Sequence, residues 1–395
     1  MPVITQEVAY LILIVSLMVV PRILQRLRIP APLTSFGLGM VAALSLGAFS
    51  QDATLALLAT LGISSLFLFA GLEIDLADLR RGKWLLLGHL AGRAVVLLVT
   101  GWFVVRYFGF SWQAAALLGL AVLTPSTGFI LDTLSTLDLS EEERYWVRMK
   151  AISGELFALV VLFIVLQSGS LQTMAWASGA LLAMLVGLPL LFIGLGRLVI
   201  PYARGSEFSL LLMVGVIAAF LTYQLGVYYL VGAFLAGFVA KLLRERMPLL
   251  ASDENLHAIQ MFASFFVPFY FFYMGMNVPS GALTLQALGI GLLLTLVALP
   301  GRVGGLWLHR RVVKGESSAS SLRVAAALTP TLIFTLVLAT ILRERFQIPD
   351  ALYGGLLIYA GMSTLVPSFV LARPVDFDPL PVASRFPPEA DRSAT

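Results

Sequence analysis

Apolar residues run in blocks near twenty long, separated by short breaks rich in Gly, Pro and charge. A helix of about twenty apolar residues crosses the hydrocarbon of a bilayer, whereas half-buried strands alternate with period two. The blocks predict helices over 8–21, 31–49, 53–73, 84–108, 111–135, 151–169, 174–200, 209–226, 227–243, 259–278, 285–308, 321–343 and 350–372. The weakest boundary separates the eighth and ninth, around Tyr223 to Tyr229. The chain is therefore expected to be an all-α polytopic membrane protein of about 13 transmembrane helices. Residues 1–373 form one transmembrane domain, and the Pro-, Asp- and Arg-rich stretch 374–395 is expected to be a disordered cytoplasmic tail.

Composition agrees. With 59% hydrophobic and 12% charged residues, the chain carries too little charge to cover a soluble surface. The placement of the basic residues is more informative than the pI of about 9.4. When alternate loops are assigned to opposite sides, 21 of the 26 Lys and Arg fall on one side and only Arg106, Arg343 and Arg345 on the other. Arg93 and Arg302 remain inside apolar blocks. The positive-inside rule then puts the N-terminus outside and the C-terminus in the cytoplasm. No basic patch with interleaved aromatics exists, so a nucleic-acid partner is not expected. There is no cysteine, and His89, His257 and His309 are scattered, so neither a resident metal nor another cofactor is expected. Met1 to Glu7 lacks a positive stretch, so no cleavable signal peptide is expected.

Three local matches link the halves of the chain. LFLFAGLEID aligns with FYFFYMGMNV, placing Gly71 over Gly275. AVLTPSTGFIL aligns with AALTPTLIFTL, placing Pro125 over Pro330, and LAGRAVVL aligns with LPGRVGGL, placing Arg93 over Arg302. The partners are seven predicted helices apart, so the copies run in opposite directions. The result is a 6+1+6 inverted-topology repeat, 8–169 and 209–372, joined by a connector helix at 174–200. Such repeats mark secondary transporters, with the substrate held at discontinuous helices near the bilayer midplane.

Pro125 and Pro330 predict those breaks, because proline lacks the amide donor and clashes with the preceding turn. Thr124, Ser126 and Thr127 surround one break, and Thr329 and Thr331 the other. Their hydroxyls can satisfy freed backbone groups, as at an ordinary proline kink, or coordinate a cation. Glu155 is the only acid well inside an apolar block. A charge there costs about 2.5–3.5 kcal/mol on insertion scales, so it must be paired, hydrated or protonated. A carboxylate held between burial and a neighbouring cation can exchange a proton for a metal cation. The alternative is a solvated interfacial acid, since Lys150 is only five residues away. Arg93 and Arg302 can pair with Glu155, cap the carbonyl end of a broken helix, or serve as structural counter-charges. His89 lies one helical turn from Arg93 on the same face. Glu73, Asp75 and Asp132 fall at cytoplasmic helix ends, where they form an entry funnel or are simply solvated.

At these residues the chain resembles the cation–proton antiporter superfamily. It is most similar to the branch holding the thirteen-helix bacterial sodium–proton antiporters and the glutathione-gated potassium efflux systems. FLFAGLEIDLADLRR at 67–81 resembles a recurrent segment, TPST at 124–127 and LTPT at 328–331 fall at the unwound crossing helices, and SGELFALVV at 153–161 falls at the acidic pair. The resemblance implies that Glu155 stands for the ion- and proton-binding aspartate, and that Arg302 stands where many members carry Lys or Arg. It further implies a moving core, a scaffold that forms a homodimer, and Na⁺ or K⁺ exchanged for H⁺ by alternating access. The pair here is Gly154–Glu155 in place of two polar or acidic residues, and its carboxylate is one methylene longer. No glycine-rich dinucleotide fingerprint follows the last helix, so the nucleotide-binding domain of the efflux systems is not expected. A sodium-coupled symporter of an organic anion on a similar fold is the alternative. An enzyme is not expected, since neither HExxH nor an aspartate-rich diphosphate motif occurs.

Overall fold

The computed structural model describes residues 6–46, 49, 52–74, 76–203, 205–226, 228–244, 247 and 252–371. Asp75 and the tail from 374 onward lie outside the described residues. In chain order the α-helices are α1 Gln6–Gln25, α2 Ala31–Leu46, α3 Ala53–Leu72, the short α4 Leu76–Arg81, and α5 Lys83–Phe108. Then come α6 Trp112–Leu123, α7 Thr127–Thr133, α8 Glu141–Gln167 and α9 Leu171–Leu198. The remainder are α10 Glu207–Gln224, α11 Tyr229–Leu242, α12 Asp253–Met276, α13 Leu285–Lys314, α14 Ser318–Ala327, α15 Leu332–Phe346 and α16 Asp350–Val370.

Ten helices among the described residues are long and apolar enough to cross a membrane, and the bent pair α14–α15 makes eleven. Two shorter apolar helices, Ala31–Ala43 and Tyr229–Leu242, fall below that length, so the expected count of 13 is not established. The largest boundary correction is α8, which begins at Glu141, ten residues before the apolar block. Its first turns, EEERYWVRMK, are too polar for a hydropathy reading, but Ser140 and Glu143 form a reciprocal capping box that fixes the start. Serine or threonine side chains also cap α6, α9, α12, α13 and α14. Gly109 and Gly315 end α5 and α13 in the left-handed conformation.

Glycines bring the central helices together in matched pairs. Gly71 of α3 faces the Phe234 carbonyl of α11, and Gly275 of α12 faces the Phe36 carbonyl of α2. Gly39 of α2 faces the Phe272 carbonyl of α12, and Gly237 of α11 faces the Leu68 carbonyl of α3. Advancing α3 residues by 204 and α2 residues by 198 turns each contact into its partner. At all four positions a Cβ would collide with backbone oxygen, so only glycine permits the approach. The packing thus repeats the internal match found in the sequence and centres the bundle on α3 and α12. By contrast, α5, α9 and α13 keep most of their length exposed, as lipid-facing helices do.

Candidate functional site

Two broken helices meet at the centre. α6 stops at Leu123, the chain is extended through Thr124, Pro125 and Ser126, and α7 begins at Thr127. The α14 helix stops at Ala327, and α15 resumes at Leu332 with a bend of 48°. Backbone groups freed by the two prolines pair across the crossing. Ser126 N–H donates to the Pro330 carbonyl at 2.8 Å, and Ile333 N–H donates to Ser126 Oγ at 2.9 Å. Thr335 Oγ1 donates to the Ala121 carbonyl at 2.7 Å. Thr329 Oγ1 donates to Ala326 O, and Thr331 Oγ1 lies 3.0 Å from Ser363 Oγ. Thr124, Ser126, Thr127, Thr329 and Thr331 are all buried. Thus the expected hydroxyls surround the crossing, and three of them, those of Ser126, Thr329 and Thr331, have protein partners.

Glu155 lies on α8 at 2% exposure, so it is not a solvated interfacial acid. Thr127, the first residue of α7, presents its hydroxyl and backbone N–H to the carboxyl. Yet Glu155 Oε2 and Thr127 Oγ1 each lack a well-formed hydrogen bond. No Lys, Arg or His among the described residues forms an ion pair with Glu155. The structure therefore holds a buried carboxylate with free acceptor capacity beside a helix break.

Neither intramembrane arginine pairs with it. Arg302 donates to the Leu328 carbonyl at 3.0 Å and to the Thr329 carbonyl and Tyr359 hydroxyl at 2.9 Å each. It therefore sits on the negative end of α14, where a cation offsets the orphan carbonyls. Tyr359 Oη donates onward to the Val122 carbonyl of α6 at 2.8 Å. The two breaks are thus completed differently: a guanidinium serves α14, while the Thr335 and Tyr359 hydroxyls serve α6. Arg93, which the sequence match aligns with Arg302, instead donates through Nε to His89 Nε2 at 3.1 Å, one helical turn away. Its guanidinium lies over Gly154, where an added Cβ would be 2.5 Å from Nη1. The space a side chain at position 154 would take is thus filled by Arg93.

Sequence reasoning missed a buried cationic group between the N-terminal third of α8 and the last turns of α13. Lys150 and Arg310 counted as loop charges, but they are 0% and 1% exposed. Lys150 Nζ lies 3.4 Å from His309 Nδ1, while Arg310 and Lys314 both pair with Glu316. Partial burial pushes the Glu316 carboxyl up, but Lys314 and Arg310 outweigh it and hold it below the ordinary 4.5. The available signal was helical spacing: Lys150 lies in register with the capping box at Ser140, inside α8 rather than before it.

The entry-funnel acids are not brought together among the described residues. Glu73 caps the end of α3, Asp132 lies in α7 with its side chain outside the described set, and Asp75 is outside it altogether. A cavity of about 220 Å³ between α1, α2 and α12 reaches Gly128 and Ile333 beside the crossing. Arg22, Gln25, Ser35, Gln260 and Ser264 supply its polar lining, with no carboxylate, and Ser35 Oγ is buried without a partner.

Residues 12–376 match the family model described as sodium/hydrogen exchanger, transmembrane. The chain is similar to the Na(+)/H(+) antiporter NhaS5 of Synechocystis, 28% identical over 296 residues covering 71% of this chain and 41% of that protein. It is similar to the probable Na(+)/H(+) antiporter 3 of Methanocaldococcus jannaschii, 25% identical over 286 residues covering 68% of this chain and 70% of that protein. The match thus spans less than half the length of the Synechocystis relative. The fold resembles the structure of the sodium proton antiporter MjNhaP1 from Methanocaldococcus jannaschii at pH 8, with a TM-score of 0.65 and 17% identity. That superposition covers 92% of this chain and 95% of the other.

Proposed function

This chain belongs to the sodium/hydrogen exchanger family, a family of transporters rather than enzymes, and we propose from that premise that it exchanges Na⁺ or K⁺ for H⁺ by alternating access. Glu155 is the group that holds either a proton or the metal cation. The observation that carries this reading is a fully buried carboxylate with an unpartnered oxygen beside the α6–α7 break. Such a group needs a proton or a cation to offset its burial, and the two exclude each other. Thr127, whose hydroxyl is also unpartnered, is the second oxygen ligand. A cation that has lost its water needs several oxygens, and the extended backbone at Thr124–Ser126 has carbonyls to add.

Arg302 acts through the helix break rather than on the ion. By capping α14 it frees the crossing from uncompensated negative ends and leaves Glu155 as the negative charge there. The matched glycine contacts support an inverted repeat, 8–169 and 209–372, with the connector at 174–200. In this reading α3–α8 and α12–α16 form the moving core, and the other helices form the scaffold of a homodimer in a bacterial inner membrane. The cation route on one side is the polar cavity at Gln25, Ser35 and Gln260 rather than the acids Glu73, Asp75 and Asp132. The organic-anion reading is weaker, because the Arg302 guanidinium is taken by protein carbonyls. The test is proton flux in proteoliposomes: Na⁺, K⁺ and Li⁺ are added in turn to vesicles holding an acid interior. Alkalinisation by one or more of them, absent from empty vesicles, is expected; no cation-dependent flux with any of the three refutes exchange.

A further inference from the structure

We propose that the cleft between α5 and α13 binds a long-chain fatty acid from the bilayer, its carboxylate on Arg93 and its chain along the apolar walls. A cavity of about 850 Å³ separates these two helices. Its walls carry glycine: a Cβ built at Gly92, Gly301 or Gly305 meets nothing within 4 Å. The space is therefore left unfilled by protein rather than closed by helix packing. Val96 and Phe103 on one wall and Leu293 and Val297 on the other are 48–65% exposed, so the cleft opens along the outer, apolar side of both helices. In a bilayer that side faces hydrocarbon, and acyl chains are the molecules present to enter it.

The charge inside the cleft selects among them. Arg93 lines it, and its one side-chain hydrogen bond among the described residues goes from Nε to His89. No carboxylate among the described residues lies within ion-pairing distance of its guanidinium, which stays protonated even when buried. Arg302 also lines the cleft, but its Nη atoms are held by carbonyls and a tyrosine. A guanidinium in apolar surroundings takes a carboxylate in a two-pronged bond. Depth excludes a phospholipid headgroup: Arg93 is ten residues inside α5 from Lys83, about 15 Å from the helix end at 1.5 Å per residue. A single-chain acid has no bulky head and can enter. From Arg93 to Phe108, which also lines the cleft, the wall runs for about 22 Å at the same rise, room for a long acyl tail.

The proposal is independent of ion exchange and is tested by binding. Full-length protein in phosphatidylcholine nanodiscs is titrated with radiolabelled palmitate, with methyl palmitate, phosphatidylglycerol and chloride as competitors. Saturable palmitate binding is expected, with the ester competing at least tenfold more weakly and the other two not competing. Arg93→Gln should lower palmitate affinity to the level of the ester. Gly305→Leu and Gly92→Leu, which fill open space, should abolish binding while keeping Arg93. Equal binding of acid and ester, displacement by chloride or phosphatidylglycerol, or wild-type palmitate binding in Gly305→Leu would each overturn it. Should Arg93→Gln fail to fold, the two glycine variants and the acid–ester ratio decide the matter.

Discussion

Glu155 and Glu316 show how differently two acids are treated in one chain. Glu155 is buried without a cation, whereas Glu316 sits between Lys314 and Arg310 near the protein's edge. Glu155→Gln keeps the size and removes a costly charge, so its unfolding temperature in detergent should equal or exceed that of wild type. Glu155→Asp keeps the carboxylate at a reach one methylene shorter, and should retain exchange with a weaker apparent cation affinity. Glu316 works in the opposite sense. Its folded pKa is depressed, so its contribution to stability is present above about 4.5 and is lost as pH falls through the folded value. Thermal unfolding of Glu316→Gln should show a smaller loss of stability between pH 7 and pH 4 than wild type, and an equal loss would mean the ion pairs contribute nothing.

At the scale of elements, the breaks and the glycine contacts carry the architecture. Tyr359 joins them, accepting from Arg302 and donating to the Val122 carbonyl. Tyr359→Phe strands those groups and should cost about 1–3 kcal/mol, the range for a buried partner left unsatisfied. Gly275→Ala drives a methyl group into the Phe36 carbonyl and should cost about 1–3 kcal/mol, as overpacking does. Gly301→Ala meets nothing and should be neutral or gain up to about 1 kcal/mol of helix propensity. Unfolding of the pair in one detergent checks both, and equal losses would contradict the packing argument. The breaks were legible because proline and its flanking hydroxyls are local signals, and so was the capping role open to Arg302. The start of α8 was not legible from apolar content, because its first ten residues are charged; only the Ser140–Glu143 box records it. Pairing of Arg93 with Glu155 was open on sequence alone and does not occur. Adjacent positions on a helix point about 100° apart, so Gly154 faces α5 while Glu155 faces α7.

For the whole molecule, the uneven basic residues predict orientation as well as fold. With the N-terminus outside, Ser280 lies outside and Asp253 in the cytoplasm. The chain has no native cysteine, so a single cysteine at each position reports its side to an impermeant thiol reagent. Labelling from outside at position 280 and not at 253 is expected, and the reverse would refute the topology. The helical fold was legible from block length, and the three short matches pointed to the repeat that the glycine contacts support, while Lys150 and Arg310 were misplaced because charge flanking an apolar block reads as loop. The most direct test of the exchange mechanism compares wild type with Glu155→Gln in the same proteoliposomes, using the cation that drives proton flux in wild type. Loss of that flux in a protein that remains folded is the expected result. Flux at the wild-type rate would show that Glu155 is structural and that protons travel elsewhere.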